Sequence, residues 1–128
     1  MANFTILMYE DDLSYKESFE YSLKEKVKLK GKTLVIHHKE NGDTLEQDLL
    51  MHSPHLIMVD HDLGETTGDE IIQLIDQMPE YKAVSIYYYS GGETLEDLES
   101  RANKFACHIR CFTKEGDDLD NAILGLVK

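Results

Sequence analysis

The sequence has few of the features that mark membrane or secreted proteins. No apolar run approaches the roughly 20 residues that cross a bilayer, and the first residues lack the basic stretch of a signal peptide. Only two cysteines are present, Cys107 and Cys111, which excludes a framework of several disulfides. We therefore expect a cytoplasmic protein with reduced thiols and no membrane association.

Basic residues and linker-like segments are also scarce. The chain has 13 Lys and Arg against 25 Asp and Glu, which gives a formal charge of −12 at pH 7. This charge disfavours direct nucleic-acid binding by the domain. Two prolines, the absence of repeats and the absence of low-complexity stretches argue against a linker. With 128 residues, 41% of them hydrophobic, the chain is expected to form one domain over residues 1–128.

Short apolar runs alternate with segments of helical periodicity along the whole chain. The runs predict five strands, at 4–9, 33–37, 56–60, 83–89 and 107–112. The segments that follow them predict five helices, in which Leu49, Leu50 and Leu95 are among the residues expected to face inward. This alternation predicts an α/β fold, a single (βα)5 three-layer sandwich. Its five-stranded parallel sheet would have the flavodoxin-like strand order 2-1-3-4-5.

Charged and polar residues follow these strands. Glu10 and Asp11 follow the first, Asp60 ends the third, and the fourth and fifth are followed by Ser90 and Lys114. Because parallel strands end at the same edge of a sheet, we expect these side chains to converge. Carboxylates brought that close repel one another unless a cation joins them, and oxygen ligands with open water positions suit Mg²⁺. An aspartate beside such an ion can attack phosphorus, while a hydroxyl and an ammonium stabilise the transferring phosphoryl group.

This set of residues resembles the signature of response-regulator receiver domains, the CheY-like superfamily of two-component and phosphorelay signalling. The resemblance covers essentially the whole chain and includes Gly68, eight residues after Asp60. It implies that Asp60 is the phosphoacceptor, loaded by a sensor histidine kinase, a phosphotransfer protein or a small phosphodonor. It also implies a phosphoprotein that switches conformation to signal to a downstream effector, and not an enzyme with a separate substrate.

The resemblance further implies a role for each site residue. The Mg²⁺ ligands would be, in chain order, Glu10 through a water molecule, Asp11, Asp60 and the backbone carbonyl of Asp62. Ser90 and Lys114 would contact the phosphoryl oxygens. Asp62 also lies where side chains flank the path of the attacking water, so we hypothesise that its charge alters the lifetime of the phosphoryl group. The output surface would be formed by the fourth helix, fifth strand and fifth helix.

Three positions depart from the family's usual pattern. Gly64 and Glu115 stand where prolines are usual, and Cys111 stands at the position of the aromatic switch residue. The first departure predicts a looser loop after the acceptor, and the second puts the reach of the site lysine in question. For the tyrosines 87–89 of the fourth strand, we expect packing under helices with hydroxyls that reach solvent. An alternative is that one of them replaces the missing aromatic switch.

Two other functions remain open on the sequence. One is a pseudo-receiver, a binding module that never cycles, which the three departures favour and the complete set of charged site residues opposes. The other is a phosphatase of the haloacid-dehalogenase type, because Asp60 and Asp62 have the spacing of a nucleophile and a general acid. The nearly adjacent positions of Lys114 and the acidic pair at 117–118 oppose the phosphatase, since no strand fits between them.

Overall fold

The computed structural model describes residues 2–128, in which a five-stranded parallel sheet lies between two layers of helices. The strands of this sheet, β1 to β5, are Ala2–Tyr9, Lys32–Lys39, Leu56–Asp60, Ser85–Ser90 and His108–Thr113. The helices, α1 to α5, are Leu13–Leu29, Leu45–His52, Gly68–Asp76, Leu95–Ala102 and Asp118–Leu126. The strand order is β2-β1-β3-β4-β5, so the predicted α/β sandwich and its order are confirmed.

Each face of the sheet has its own hydrophobic core. In the central strand β3, Leu56 and Met58 pack with residues of α1 and α5, whereas Ile57 and Val59 pack with residues of α2, α3 and α4. Every residue of β3 is buried, as expected for a strand covered by helices on both faces. None of the helices within residues 2–128 is long and apolar enough to span a bilayer. Because helices cover both faces of the sheet, polar side chains can gather only at the ends of its strands.

Two leucines predicted to face inward lie outward instead. Leu50 is 77% exposed and Leu95 is 43% exposed, whereas Leu49 and Leu98 are buried. Both leucines belong to helices of eight residues, α2 and α4. Such a helix has about two turns and buries one narrow stripe, and helical spacing alone does not decide which of the adjacent Leu49 and Leu50 lies on it. Leu95 is the first residue of α4, so it lies at the end of the helix.

The loop after β3 contains a short hairpin that the sequence pattern did not predict. Asp62–Leu63 pairs in antiparallel fashion with Thr66–Thr67, and Gly64 turns the chain with a φ of +73°. Proline is restricted to a φ near −65°, so it could not take this position. Glycine at position 64 thus makes a defined turn beside Asp60 instead of the looser loop expected from the missing proline.

Candidate functional site

Three carboxylates converge at the carboxyl edge of the sheet, where β1 and β3 end. Glu10, Asp11 and Asp60 each offer an oxygen within 4.8 Å of the others. Glu10 and Asp60 are buried, while Asp11 is exposed. The two strands are direct neighbours, with Tyr9 opposite Val59, so the residues that follow each strand are brought side by side. The structure therefore brings together the three acids that the sequence placed at this edge.

The acceptor candidate Asp60 has a strongly altered acidity. Burial raises the pKa of Asp60 to about 8, and the neighbouring Glu10 carboxylate adds to the rise. Lys114 and the backbone N–H of Asp62, which donates to Asp60 Oδ1 over 3.3 Å, oppose it and hold the pKa lower. Asp60 therefore retains its proton near neutral pH, because a second negative charge beside Glu10 is unfavourable. A divalent cation bound between the two carboxylates would relieve this repulsion.

Lys114 reaches the acids from the end of β5. Its Nζ lies 3.1 Å from Glu10 Oε1 and 3.3 Å from Asp60 Oδ2. Burial works against its charge, but the two carboxylates outweigh burial and raise the pKa of Lys114. A Cβ atom at Gly91 would lie 3.3 Å from Lys114 Cδ, so a small residue there leaves room for the lysine. The absence of the proline that usually follows this lysine does not keep it away from the acids.

Ser90 and Asp62 form the side of the site next to β4. The Ser90 hydroxyl donates to Asp62 Oδ2 over 3.4 Å and accepts the N–H groups of Gly92 and Glu93, each at 3.0 Å. Asp62 Oδ1 also lies 3.0 Å from His61 Nδ1, and the Asp62 side chain is 64% exposed. Asp62 therefore directs its carboxylate beside the acid cluster and not into it. Its predicted role as a ligand through the backbone carbonyl stays a prediction.

Gly68 is required by the close packing of α3 against the end of β3. A Cβ atom at this position would lie 2.4 Å from the Asp60 carbonyl oxygen and 2.8 Å from Tyr88 Cε1. The Gly68 N–H donates to the His61 carbonyl over 2.9 Å. Glycine eight residues after Asp60 thus lets the chain return close to this aspartate, because any side chain there would collide with the backbone.

The sequence did not reveal two tyrosines that surround the pair formed by Glu10 and Lys114. Tyr89 is buried, and its hydroxyl donates to Glu10 Oε1 over 3.0 Å. Tyr15, in the first turn of α1, stacks on Tyr89 with ring centroids 5.9 Å apart. Lys114 Nζ lies 4.2 Å from the centroid of the Tyr15 ring. The only signal in the sequence was the run of tyrosines before Ser90, which does not indicate which hydroxyl meets an acid.

The expectation that the hydroxyls of tyrosines 87–89 reach solvent was wrong. Tyr87 donates to the carbonyl of Ala122 over 3.2 Å, and Tyr88 donates to Asp69 in a short hydrogen bond. Strand β4 is paired on both sides, and all three of its tyrosines are buried. A buried hydroxyl without a partner is costly, so each of these finds an acceptor inside the protein.

No family model and no curated protein matches the sequence, but several solved structures that are named as receiver domains share its arrangement of strands and helices. The signal receiver domain of a DNA-binding response regulator from Colwellia psychrerythraea is 23% identical, with a TM-score of 0.78 and 98% coverage of both chains. A CheY-like receiver domain from Methylobacillus flagellatus is 18% identical, with a TM-score of 0.71 over 99% of this chain and 100% of that one. The chemotaxis protein CheY4 of Vibrio cholerae is 15% identical, with a TM-score of 0.75 and the same coverage. The chain therefore has the fold of response-regulator receiver domains over nearly its whole length.

Proposed function

We propose that the protein is a signalling receiver that accepts a phosphoryl group on Asp60 in the presence of Mg²⁺. The observation that carries this proposal is the single small site in which Asp60 meets Glu10, Asp11 and the Lys114 ammonium. The receiver domains that share its fold support a signalling role. The donor would be the phosphohistidine of a sensor kinase or a phosphotransfer protein. Because Asp60 itself carries the product, the protein acts as a switch and turns over no separate substrate.

The reaction at Asp60 would be a direct displacement at phosphorus. A carboxylate oxygen of Asp60 forms the new P–O bond while the bond from phosphorus to the donor's imidazole nitrogen breaks. The nitrogen leaves with the electron pair, and the product is an acyl phosphate. Asp60 must be ionised to attack, and its raised pKa means that a cation in the site would favour the reactive form.

The residues fit a hard divalent cation with oxygen ligands. Glu10 Oε1 already accepts a hydrogen bond from Tyr89 and pairs with the Lys114 ammonium, and Oε2 accepts the N–H of Asp12 over 3.0 Å. Glu10 would therefore act through a water molecule, and the direct carboxylate ligands would be Asp11 and Asp60. When bound, Mg²⁺ would offset the negative charge of the phosphoryl oxygens.

Ser90 provides the route from the site to the rest of the molecule. Its hydroxyl would leave Asp62 and donate to a phosphoryl oxygen, while Lys114 neutralises another. Because the Ser90 oxygen also accepts the N–H groups at positions 92 and 93, its rotation would shift the loop that leads into α4. Beyond that loop lies a groove of about 640 Å³ between α4, β5 and α5, lined in part by Leu95 and Cys111. We propose this face as the binding surface for the downstream effector.

The proposal is tested by intact-protein mass spectrometry after incubation with Mg²⁺ and phosphoramidate or acetyl phosphate. The wild type is expected to gain the mass of one phosphoryl group, and Asp60→Asn is expected to gain none. Asp43→Asn, which removes an exposed aspartate outside the site, serves as the matched control and should still be labelled. Chelation of the metal should abolish labelling of the wild type. A wild type that stays unmodified under all these conditions contradicts the proposal.

A non-cycling receiver is the second candidate. Cys111 supports it, because a half-buried thiol in β5 cannot make the ring movement of an aromatic switch. This candidate predicts no labelling in the experiment above. The phosphatase alternative has less support, since similar solved structures such as those from Colwellia psychrerythraea and Methylobacillus flagellatus are named as receiver domains. It would be revived by steady turnover of a generic phosphate ester, which we do not expect.

We propose a cytoplasmic location for the protein, which its two free thiols suit.

A further inference from the structure

The ammonium group of Lys114 is enclosed by two acids and two aromatic rings. Its Nζ lies 3.1 Å and 3.3 Å from oxygens of Glu10 and Asp60. The same atom lies 4.2 Å from the ring centroid of Tyr15 and 5.6 Å from that of Tyr89. An ammonium within about 6 Å of an aromatic centroid is attracted to the face of the ring. The Lys114 side chain is only 20% exposed, so solvent screens this attraction only in part.

Tyr89 holds Glu10 from the opposite side. Its hydroxyl donates to Glu10 Oε1, the same oxygen that contacts Lys114. Both Glu10 and Tyr89 are 0% exposed, so bulk water cannot replace this donor. Removing the hydroxyl would leave a buried carboxylate oxygen with one donor fewer, which allows the carboxylate to shift.

The position of Tyr15 is set by the start of α1. Asp12 caps this helix by accepting the Tyr15 N–H over 3.2 Å, and the Tyr15 ring stacks on both Phe19 and Tyr89. The Asp12 N–H in turn donates to Glu10 Oε2 over 3.0 Å. The ring is thus fixed by the same turn that carries the acids of the site, so it offers Lys114 a surface of defined position.

On the basis of the proposed function, we infer that Tyr15 and Tyr89 are positioning residues for phosphoryl transfer. The ring of Tyr15 seats the Lys114 ammonium above the acceptor, and the hydroxyl of Tyr89 holds Glu10 against that ammonium. Lysine has a flexible four-carbon stem, and a lysine placed before the phosphoryl group arrives loses less conformational freedom in the reaction. Neither tyrosine touches the reacting atoms, so both act through Lys114 and Glu10.

The seat of Lys114 can be measured by NMR without phosphorylation. Because ring currents shift protons that lie over an aromatic face, the ε-methylene protons of Lys114 should resonate upfield of those of other lysines. Lys114→Met identifies the signal by its loss. The upfield shift should largely disappear in Tyr15→Leu and persist in Tyr15→Phe. Tyr21→Leu, which changes an 85% exposed tyrosine on the same helix, is the matched control and should leave the shift unchanged.

The effect on the reaction is measured as the rate of phosphorylation by phosphoramidate with Mg²⁺. Tyr15→Leu should react about five- to tenfold more slowly than the wild type, as expected for the loss of one partly buried cation–π contact. Tyr15→Phe should restore most of the rate, because it restores the ring. Tyr89→Phe keeps the ring and loses the hydroxyl, and it should react about fivefold more slowly. Thermal unfolding verifies that each variant is folded.

The outcomes separate this inference from the proposed function. If the wild type takes up no phosphoryl group, the proposed function is wrong. The NMR comparison still decides whether the Tyr15 ring holds the Lys114 ammonium in place. If the wild type is phosphorylated and both Tyr15→Leu and Tyr89→Phe react at the wild-type rate, the inference is overturned while the proposed function stands. An unshifted Lys114 signal in the wild type, or a shift that persists in full in Tyr15→Leu, also overturns it.

Discussion

Asp60 combines two properties that conflict in the absence of a cation. It is buried at the end of β3, and its neighbour Glu10 is also a buried acid. Lys114 can neutralise only one of the two carboxylates, and it contacts both. A proton on Asp60 or a cation in the site would each relieve this conflict, so the balance between them would depend on pH and on the metal.

This conflict predicts how stability depends on pH in the metal-free protein. The folded-state pKa of Asp60 is about 8, against an ordinary value of 3.8, so the folded protein holds one more proton than the unfolded chain between these values. The contribution of Asp60 to the free energy of unfolding is then full at low pH and is lost as pH rises through about 8. Asp60→Asn should remove this loss, and urea unfolding in EDTA at several pH values measures it. Parallel pH profiles of the two proteins would contradict the prediction.

A second prediction at this scale concerns the lifetime of the phosphoryl group. The exposed Asp62 carboxylate contacts Ser90 and His61 near Asp60, where it would orient water toward the phosphorus of the proposed phosphoryl group. In Asp62→Asn the amide orients water less well, so dephosphorylation should slow several-fold, less than the roughly 100-fold effect of a buried general base. The measurement is the decay of the phosphorylated mass after the donor is removed. Equal decay rates in the two proteins would rule the idea out.

Among the elements, β2 and α2 are joined by a contact between two ionisable rings. His37 of β2 and His52 of α2 stack with centroids 3.5 Å apart and planes 15° from parallel. Burial lowers the pKa of His37, and the nearby His52 and Lys39 lower it further, while Asp48 opposes them. The stack therefore forms best when at least one of the rings is neutral, because two imidazolium ions this close repel each other.

The histidine stack predicts a loss of stability in mild acid. Because the pKa of His37 is lowered in the folded protein, the unfolded chain binds more protons, and the free energy of unfolding falls as pH drops through about 6.5. His37→Gln should flatten this part of the pH profile in denaturant unfolding. His108→Gln, which changes an exposed histidine of β5, is the control and should keep the wild-type slope. An unchanged slope in His37→Gln would show that the histidine stack does not contribute to the pH dependence of the free energy of unfolding.

At the scale of the whole molecule, charge works against the folded state. A net charge of −12 on 128 residues makes the compact chain repel itself. At a concentration of 0.1 M, dissolved salt largely screens the repulsion between exposed charges that lie more than about 10 Å apart. The acid cluster adds a local part to this repulsion, which a cation bound there would relieve.

Salt and Mg²⁺ should therefore stabilise the protein to different extents. Sodium chloride should raise the thermal unfolding temperature gradually between about 0.05 and 0.5 M. Mg²⁺ at matched ionic strength should raise it further in the wild type, because a ligand that binds only the folded state adds to its stability. Asp60→Asn should lose most of this extra effect. An extra stabilisation of the same size in both proteins would mean that Mg²⁺ acts by screening alone.

The amino-acid sequence was enough to predict the α/β sandwich and the edge of the sheet where Asp60 and Lys114 meet. The order of apolar runs and helical segments can be read from the local sequence. Right-handed connections between parallel strands then leave few possible arrangements of those strands in a sheet. Only the tertiary structure decided that Tyr89 binds Glu10, that Gly64 forms a turn and that Leu50 faces outward. The hydrogen bond between Tyr89 and Glu10 joins positions 79 residues apart, and no periodicity along the chain records which side chains meet across a sheet.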